Sequence, residues 1–120
     1  MKKLVFDYYD WAEFQRFLDS LPSKDAVKLT KLISKIEIYG LAVAQRQEWT
    51  KKLEDNLFEI RSQFGSNIQR AIYFHVSRNQ YLITHGFTKK RNKTPESEKK
   101  RGRGRRNTYF HERRNDDEQN

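Results

Sequence analysis

Three stretches between Leu57 and Phe87 follow one another closely, and together they leave the middle of this chain little choice but a β-meander. The first opens Leu57-Phe58-Glu59-Ile60-Arg61, the second runs Gln69-Arg70-Ala71-Ile72-Tyr73-Phe74, and the third runs Leu82-Ile83-Thr84-His85-Gly86-Phe87. Each is rich in β-branched and aromatic residues, which suit a pleated, half-buried surface. Gly65-Ser66-Asn67 and Ser77-Arg78-Asn79 carry turn chemistry between them. Strands are therefore predicted over roughly 57–64, 68–76 and 80–87. Alternation in the first puts Phe58, Ile60 and Phe64 on one face, with Glu59, Arg61 and Gln63 on the other. Cations sit within or just beyond these runs: Arg61, Arg70, then Lys89, Lys90, Arg91 and Lys93. An apolar core has no use for them, whereas a sheet that grips a polyanion does.

Upstream, residues 3 to 8 read as a short strand. Asp10 followed by Glu13 forms a capping-box-like start, with Trp11, Phe14, Phe17 and Leu18 at helical spacing behind it. Pro22-Ser23 breaks that helix, and Ser23 is placed to cap a second one. In it Leu29, Leu32, Ile33 and Ile36 recur on one face, Lys24, Lys28, Lys31 and Lys35 take the solvated face, and Gly40 ends the run. Residues 41 to 52 lack clear periodicity and read as a loop, in which Trp49, like Trp11 earlier, serves as a core anchor. Thr94-Pro95-Glu96 marks a further helix start. Gly102 and Gly104 weaken that helix by about 1 kcal/mol each, so it is expected to fray or to order on a partner. The predicted class is α+β: an N-terminal strand and a two-helix hairpin packed on an antiparallel β-sheet, followed by a basic C-terminal helix or tail. Residues 1–98 form the domain and 99–120 a basic, partly disordered extension.

Charge is distributed unevenly. Residues 1–60 balance ten Lys/Arg against ten Asp/Glu, so the second half carries the whole net charge of +9. Residues 89–106 hold ten basic side chains and two acidic ones. Such asymmetry points to a phosphate-rich or acidic partner, the alternative being a solvated basic tail. The chain has no cysteine, which excludes disulfides and thiolate metal sites. No apolar run approaches the roughly 20 residues of a membrane span, and Asp7 and Asp10 interrupt any signal-like segment. A cytoplasmic protein without membrane association is expected.

Leu53, Leu57-x-Glu59-x-Arg61, Arg70-x-x-Tyr73-Phe74 and His85-Gly86-Phe87-x-Lys89-Lys90-x-x-Lys93-Thr94-Pro95 together resemble the RelE/ParE toxin superfamily. Within it the chain is most similar to HigB toxins related to phage-derived proteins. The likeness runs from the first strand to about residue 100, and its Gly-Phe-x-Lys-Lys…Thr-Pro part is the most specific. The glycine-interrupted basic run from Lys99 to Arg106 departs from the regular helix of many relatives. The resemblance implies a RelE-like fold and a toxin of a type II toxin–antitoxin system. Its activity would be ribosome-dependent mRNA endonuclease cleavage by 2′-OH attack, with neither metal nor other cofactor. The implied partners are a HigA-like helix-turn-helix antitoxin, the ribosome and mRNA, with operator DNA reached only through the antitoxin complex.

RNA cleavage of this kind needs a base for the 2′-OH, cations for the phosphorane and an acid for the leaving oxygen. Arg61 and Arg70 suit the phosphorane, because guanidinium binds phosphate bidentately and stays charged. Both are expected to be removable without harm to the fold. Lys89 or Lys90 is the candidate for proton transfer, with neighbouring cations to lower its pKa. Lys93 and Arg91 are expected to bind RNA. Tyr73 or Phe74 offers a stacking surface, though alternation allows only one of them to face RNA. His85 is a candidate contact whose alternative is a hydrogen-bonded structural histidine. His75, His85 and His111 show no metal-ligand spacing. A non-catalytic reading stands beside the enzyme: a nucleic-acid-binding or ParE-like, topoisomerase-inhibiting relative on the same fold.

Overall fold

A computed structural model describes residues 1–90 and 93–119, with the side chains of 115–119 left aside. The elements are β1 (Val5–Tyr8), α1 (Trp11–Asp19), α2 (Ser23–Tyr39), α3 (Leu41–Arg46), β2 (Thr50–Glu54), β3 (Leu57–Phe64), β4 (Asn67–Ser77), β5 (Gln80–Lys89) and α4 (Glu96–Gln119). The α+β class holds. One sheet carries the order β1-β5-β4-β3-β2, antiparallel from β2 to β5, with β1 added parallel to β5.

Asp10 caps α1 as expected, its Oδ1 accepting the Glu13 amide at 3.0 Å. α2 instead begins at Ser23 behind Pro22, without a side-chain cap, so the expected Ser23 cap is not made. Gly40 ends α2 at φ +92°, a left-handed conformation that a side chain would strain. Residues 41 to 52 are not a loop: they form α3 and then β2, which pairs with β3. Both are too short to show a period in sequence. Trp49 packs against the core, but Trp11 is half exposed at 52 % and is no anchor.

Helices α1, α2 and α3 cover one face of the sheet. Leu29, Ile33 and Ile36 of α2 meet Ile60, Ala71, Tyr73 and Ile83 there, with Phe14 of α1 and Phe6 of β1. Edge strand β1 is protected by a buried carboxylate, since Glu37 Oε2 accepts the Phe6 amide at 2.8 Å. On the other face a smaller cluster of Leu57, Ile72 and Phe87 lies beneath α4, and Phe74 packs against Tyr109 and Phe110 of that helix.

The expected domain boundary at 98/99 falls inside α4, and the basic run is part of a helix laid on the sheet. Its arginines do the holding. Arg101 and Arg105 pair with Glu13, Arg103 makes two hydrogen bonds to Glu54 at 2.8 Å, and Arg106 donates to the Asp55 carbonyl at 2.6 Å. The two glycines differ sharply. A Cβ on Gly102 would lie 2.8 Å from Ile72 Cγ2, so this glycine permits the close approach of helix and strand. Gly104 has nothing within 4 Å. Gly104→Ala is therefore expected to stabilise by up to about 1 kcal/mol through helix propensity. Gly102→Ala is expected to destabilise by about 1–2 kcal/mol, because overpacking outweighs the same gain. Urea unfolding of the two variants checks the sign; equal shifts would mean that α4 does not rest on the sheet at Gly102.

Candidate functional site

The centre of the α4-facing side of the sheet is polar. Arg61 of β3 and Arg70 of β4 are direct cross-strand partners, a placement that brings two like charges side by side. Glu59, two residues before Arg61 on the same face, lies between them and is wholly buried. Its Oε2 accepts Arg61 Nε at 2.8 Å, and its Oε1 accepts Arg70 Nη1 at 3.4 Å and the Thr94 hydroxyl at 2.9 Å. Arg70 Nη1 also reaches Thr94 Oγ1 at 3.3 Å. Thr94, itself buried, thus ties the segment that leads into α4 to the hub of the sheet. This gives the Thr-Pro end of the motif a structural reason.

The two arginines play different parts. Arg70 has no exposed side-chain surface, and its guanidinium lies 6.0 Å from the centre of the Phe87 ring. Burial lowers its pKa, with Glu59 opposing. It is a buried partner of Glu59 here, not a surface cation. Arg61 keeps 23 % of its side chain exposed and is held in orientation by the buried carboxylate. A charge-assisted hydrogen bond donated to a fixed acceptor orients a guanidinium in advance and so reduces the entropy lost when it meets a phosphate.

Lys89 ends β5 partly exposed, while Lys90 and Lys93 are exposed. Lys89 is paired across the ladder with Ile68, two positions from the Arg70–Phe87 pair, so strand alternation sets it on the Arg70 side. Arg91 lies outside the described residues. Tyr73 is 1 % exposed beneath α1 and α2, on the opposite face from Arg70, and its hydroxyl bonds Thr50 Oγ1 at 2.5 Å. Burial pushes that phenol above its ordinary range. Phe74 is buried as well, under α4. Neither ring offers a face to a base, because each side of the sheet has its own helical cover.

His85 is buried in a second polar group. Its Nδ1 lies 2.8 Å from Thr84 Oγ1 and its Nε2 lies 3.0 Å from Glu98 Oε1. A neutral ring that accepts from Thr84 and donates to Glu98 satisfies both contacts. Burial first, then Arg101 and Arg105, lower its pKa to about 4. Burial likewise raises the Glu98 carboxyl. Among the site residues expected from sequence, His85 is therefore a structural histidine. The unfolded ring takes up a proton near 6.5 and the folded one only near 4. Stability from His85 is thus complete above pH 6.5 and is lost as pH falls toward 4, in total roughly 3 kcal/mol; Glu98 works in the opposite direction. The Tm of His85→Gln is expected to fall less than that of wild type between pH 7 and 4.5. Parallel curves would contradict the burial.

Glu59 and Thr94, which organise the site, appear in the sequence only as members of the motif and were given no role there. The available signal was an acid flanked by Phe58 and Ile60 in an otherwise apolar strand. Such a residue has to find a partner across the sheet.

An α+β domain with a mixed five-stranded sheet and an arginine-bearing face under a C-terminal helix is the class these features define. The family of phage-derived Gp49-like proteins (DUF891) has a model that matches residues 16–107. The chain belongs to that family, the HigB-like toxin family of the RelE superfamily. No curated protein matches the sequence at a significant level. Among the described residues, no helix is long and apolar enough to cross a membrane.

Proposed function

We propose that this protein is the toxin of a type II toxin–antitoxin pair, a ribosome-dependent endoribonuclease that cuts mRNA by attack of the 2′-OH. The observation that carries the reading is the Arg61 guanidinium, part exposed yet fixed at 2.8 Å by a buried carboxylate, within the stretch that matches the Gp49-like family. In this reading Arg61 neutralises charge that develops on the phosphorane, a role worth about 10²–10³ in rate. Arg70 and Thr94 hold Glu59, and through it Arg61. Lys89 or Lys90 moves the proton, and Lys93 with Arg91 binds the strand. A HigA-like helix-turn-helix protein is the expected antitoxin, with operator DNA bound through the complex. The mechanism uses no metal of the protein's own, so cleavage is expected to need no divalent ion beyond the magnesium that keeps the ribosome intact.

A second reading draws on His85. The histidine of this face is buried and neutral, which removes the commonest general acid or base. A non-catalytic relative that binds nucleic acid or a topoisomerase would have no need of one. Induction of the intact chain in a bacterial host, followed by primer extension on abundant transcripts, separates the readings. Discrete stops within coding sequence support cleavage. Growth arrest without such stops, accompanied by loss of plasmid supercoiling, would support the alternative. Lys89→Ala and Lys90→Ala test the proton-transfer role: at least one should lower the single-turnover rate more than it weakens binding. Weaker binding at an unchanged rate would make these lysines phosphate contacts.

A further inference from the structure

The solvated face of α2 is more than a solvated face. Lys24, Lys28, Lys31 and Lys35 line a groove of about 1350 Å³ between that helix and the sheet, which Lys51 and Arg61 close from the β2 and β3 side. Glu48 is the one acidic residue among the described residues that line it. The helix itself carries two acids, Asp25 and Glu37, and both are turned inward. Asp25 Oδ2 accepts Gln69 Nε2 at 2.8 Å, and Glu37 caps β1. A helix face kept polar for solubility mixes its signs, and this one does not.

The spacing of the lysines is regular. At about 1.5 Å rise per residue, steps of four, three and four residues set them about 4.5–6 Å apart along the axis, near the interval between phosphates in an extended single strand. Two rings stand in the same groove: Trp49, with Lys35 Nζ 4.8 Å from its centre, and Phe64, which is 44 % exposed. Cations that follow a backbone beside aromatic faces are the usual arrangement for single-stranded nucleic acid.

We infer that this groove binds an extended single strand of RNA by its phosphates, along α2, up to the sheet edge where Arg61 lines it from β3 and turns its guanidinium to Glu59 on the other face. The inference deepens the proposed function by bringing the strand to the edge of the Arg61 site, and it rests on that reading of Arg61. Fluorescence anisotropy of a labelled twelve-nucleotide oligouridylate with the intact protein, without ribosomes, tests it. Lys24→Gln/Lys31→Gln is the variant of choice, because Lys28 donates to the Gln63 carbonyl and Lys35 covers Trp49. Affinity at low salt should fall at least tenfold, and the slope of log K against log salt should drop by about 1.4, or about 0.7 for each lost phosphate contact. Lys3→Gln/Lys100→Gln, which removes equal charge elsewhere, should leave the slope near wild type. Equal effects of the two variants, or duplex RNA bound as well as the single strand, would overturn the assignment. So would an oligoglutamate peptide that binds more tightly than RNA with the same dependence on Lys24 and Lys31, which would give the groove to an acidic protein segment. The two levels fail separately. Oligonucleotide binding that responds to the groove variant, from a protein that cuts nothing on ribosomes, leaves the groove standing and sinks the cleavage reading. Cleavage with unchanged binding by the groove variant sinks the groove alone.

Discussion

Arg70→Ala is expected to destabilise the domain by about 3 kcal/mol, the lower end of the cost of breaking a buried ion pair. Arg70 and Glu59 have no exposed side-chain surface, so removing the guanidinium leaves a carboxylate in the sheet with Arg61 and Thr94 as its remaining partners. Those partners set the cost at the lower end. Denaturant unfolding measures it as a fall in the midpoint at unchanged m. The double variant Glu59→Gln/Arg70→Met should recover much of the loss, because no uncompensated charge stays buried. Arg70→Ala unfolding at the wild-type midpoint would contradict the burial. As a surface cation Arg70 would have been expendable for folding; its position in the structure reverses that expectation.

Arg61→Ala should do the opposite. This side chain is part exposed, and its hydrogen bond to the buried Glu59 adds about 1–2 kcal/mol. Glu59 keeps Arg70 and Thr94, so the hub survives. Cleavage, in contrast, should fall by about 10²–10³ if this guanidinium meets the phosphorane. Circular dichroism of the variant should match wild type and its unfolding midpoint should fall far less than that of Arg70→Ala, while single-turnover cleavage drops. A variant that cuts at the wild-type rate would show that Arg61 does not reach the reacting phosphate.

The strands and helices with a full period were legible in the sequence. The meander from Leu57 onward, the Asp10 cap and the Leu29–Ile36 stripe all take their expected places. α3 and β2 were not, because six and five residues are too few to show periodicity. The parallel placement of β1 beside β5 is a long-range choice that no local pattern records. Gly102 reads locally as a helix weakener, whereas its role is set by Ile72, thirty positions away in sequence. The site divides along the same line. The Glu-x-Arg and Thr-Pro spacings were visible, but the rule that a strand cation is exposed to a ligand misses the burial of Arg70, whose counter-charge comes from the neighbouring strand. The basic run shows the same limit. Arg101, Arg103, Arg105 and Arg106 hold α4 down, so part of the charge asymmetry is structural and not addressed to a partner.

The most direct measurement of the central claim uses purified ribosomes stalled with a defined codon in the A site and the intact protein, stripped of metal beforehand, at the magnesium level that keeps the ribosomes intact. Fragment ends are mapped by primer extension and their chemistry by phosphatase and kinase sensitivity. The account predicts a single cut in the A-site codon that leaves a 2′,3′-cyclic or 3′-phosphate and a 5′-hydroxyl. It predicts no cut in free mRNA, and a loss of roughly 10²–10³ in rate with Arg61→Ala. Uncut mRNA on ribosomes at saturating protein, or cutting that is indifferent to Arg61, would contradict it.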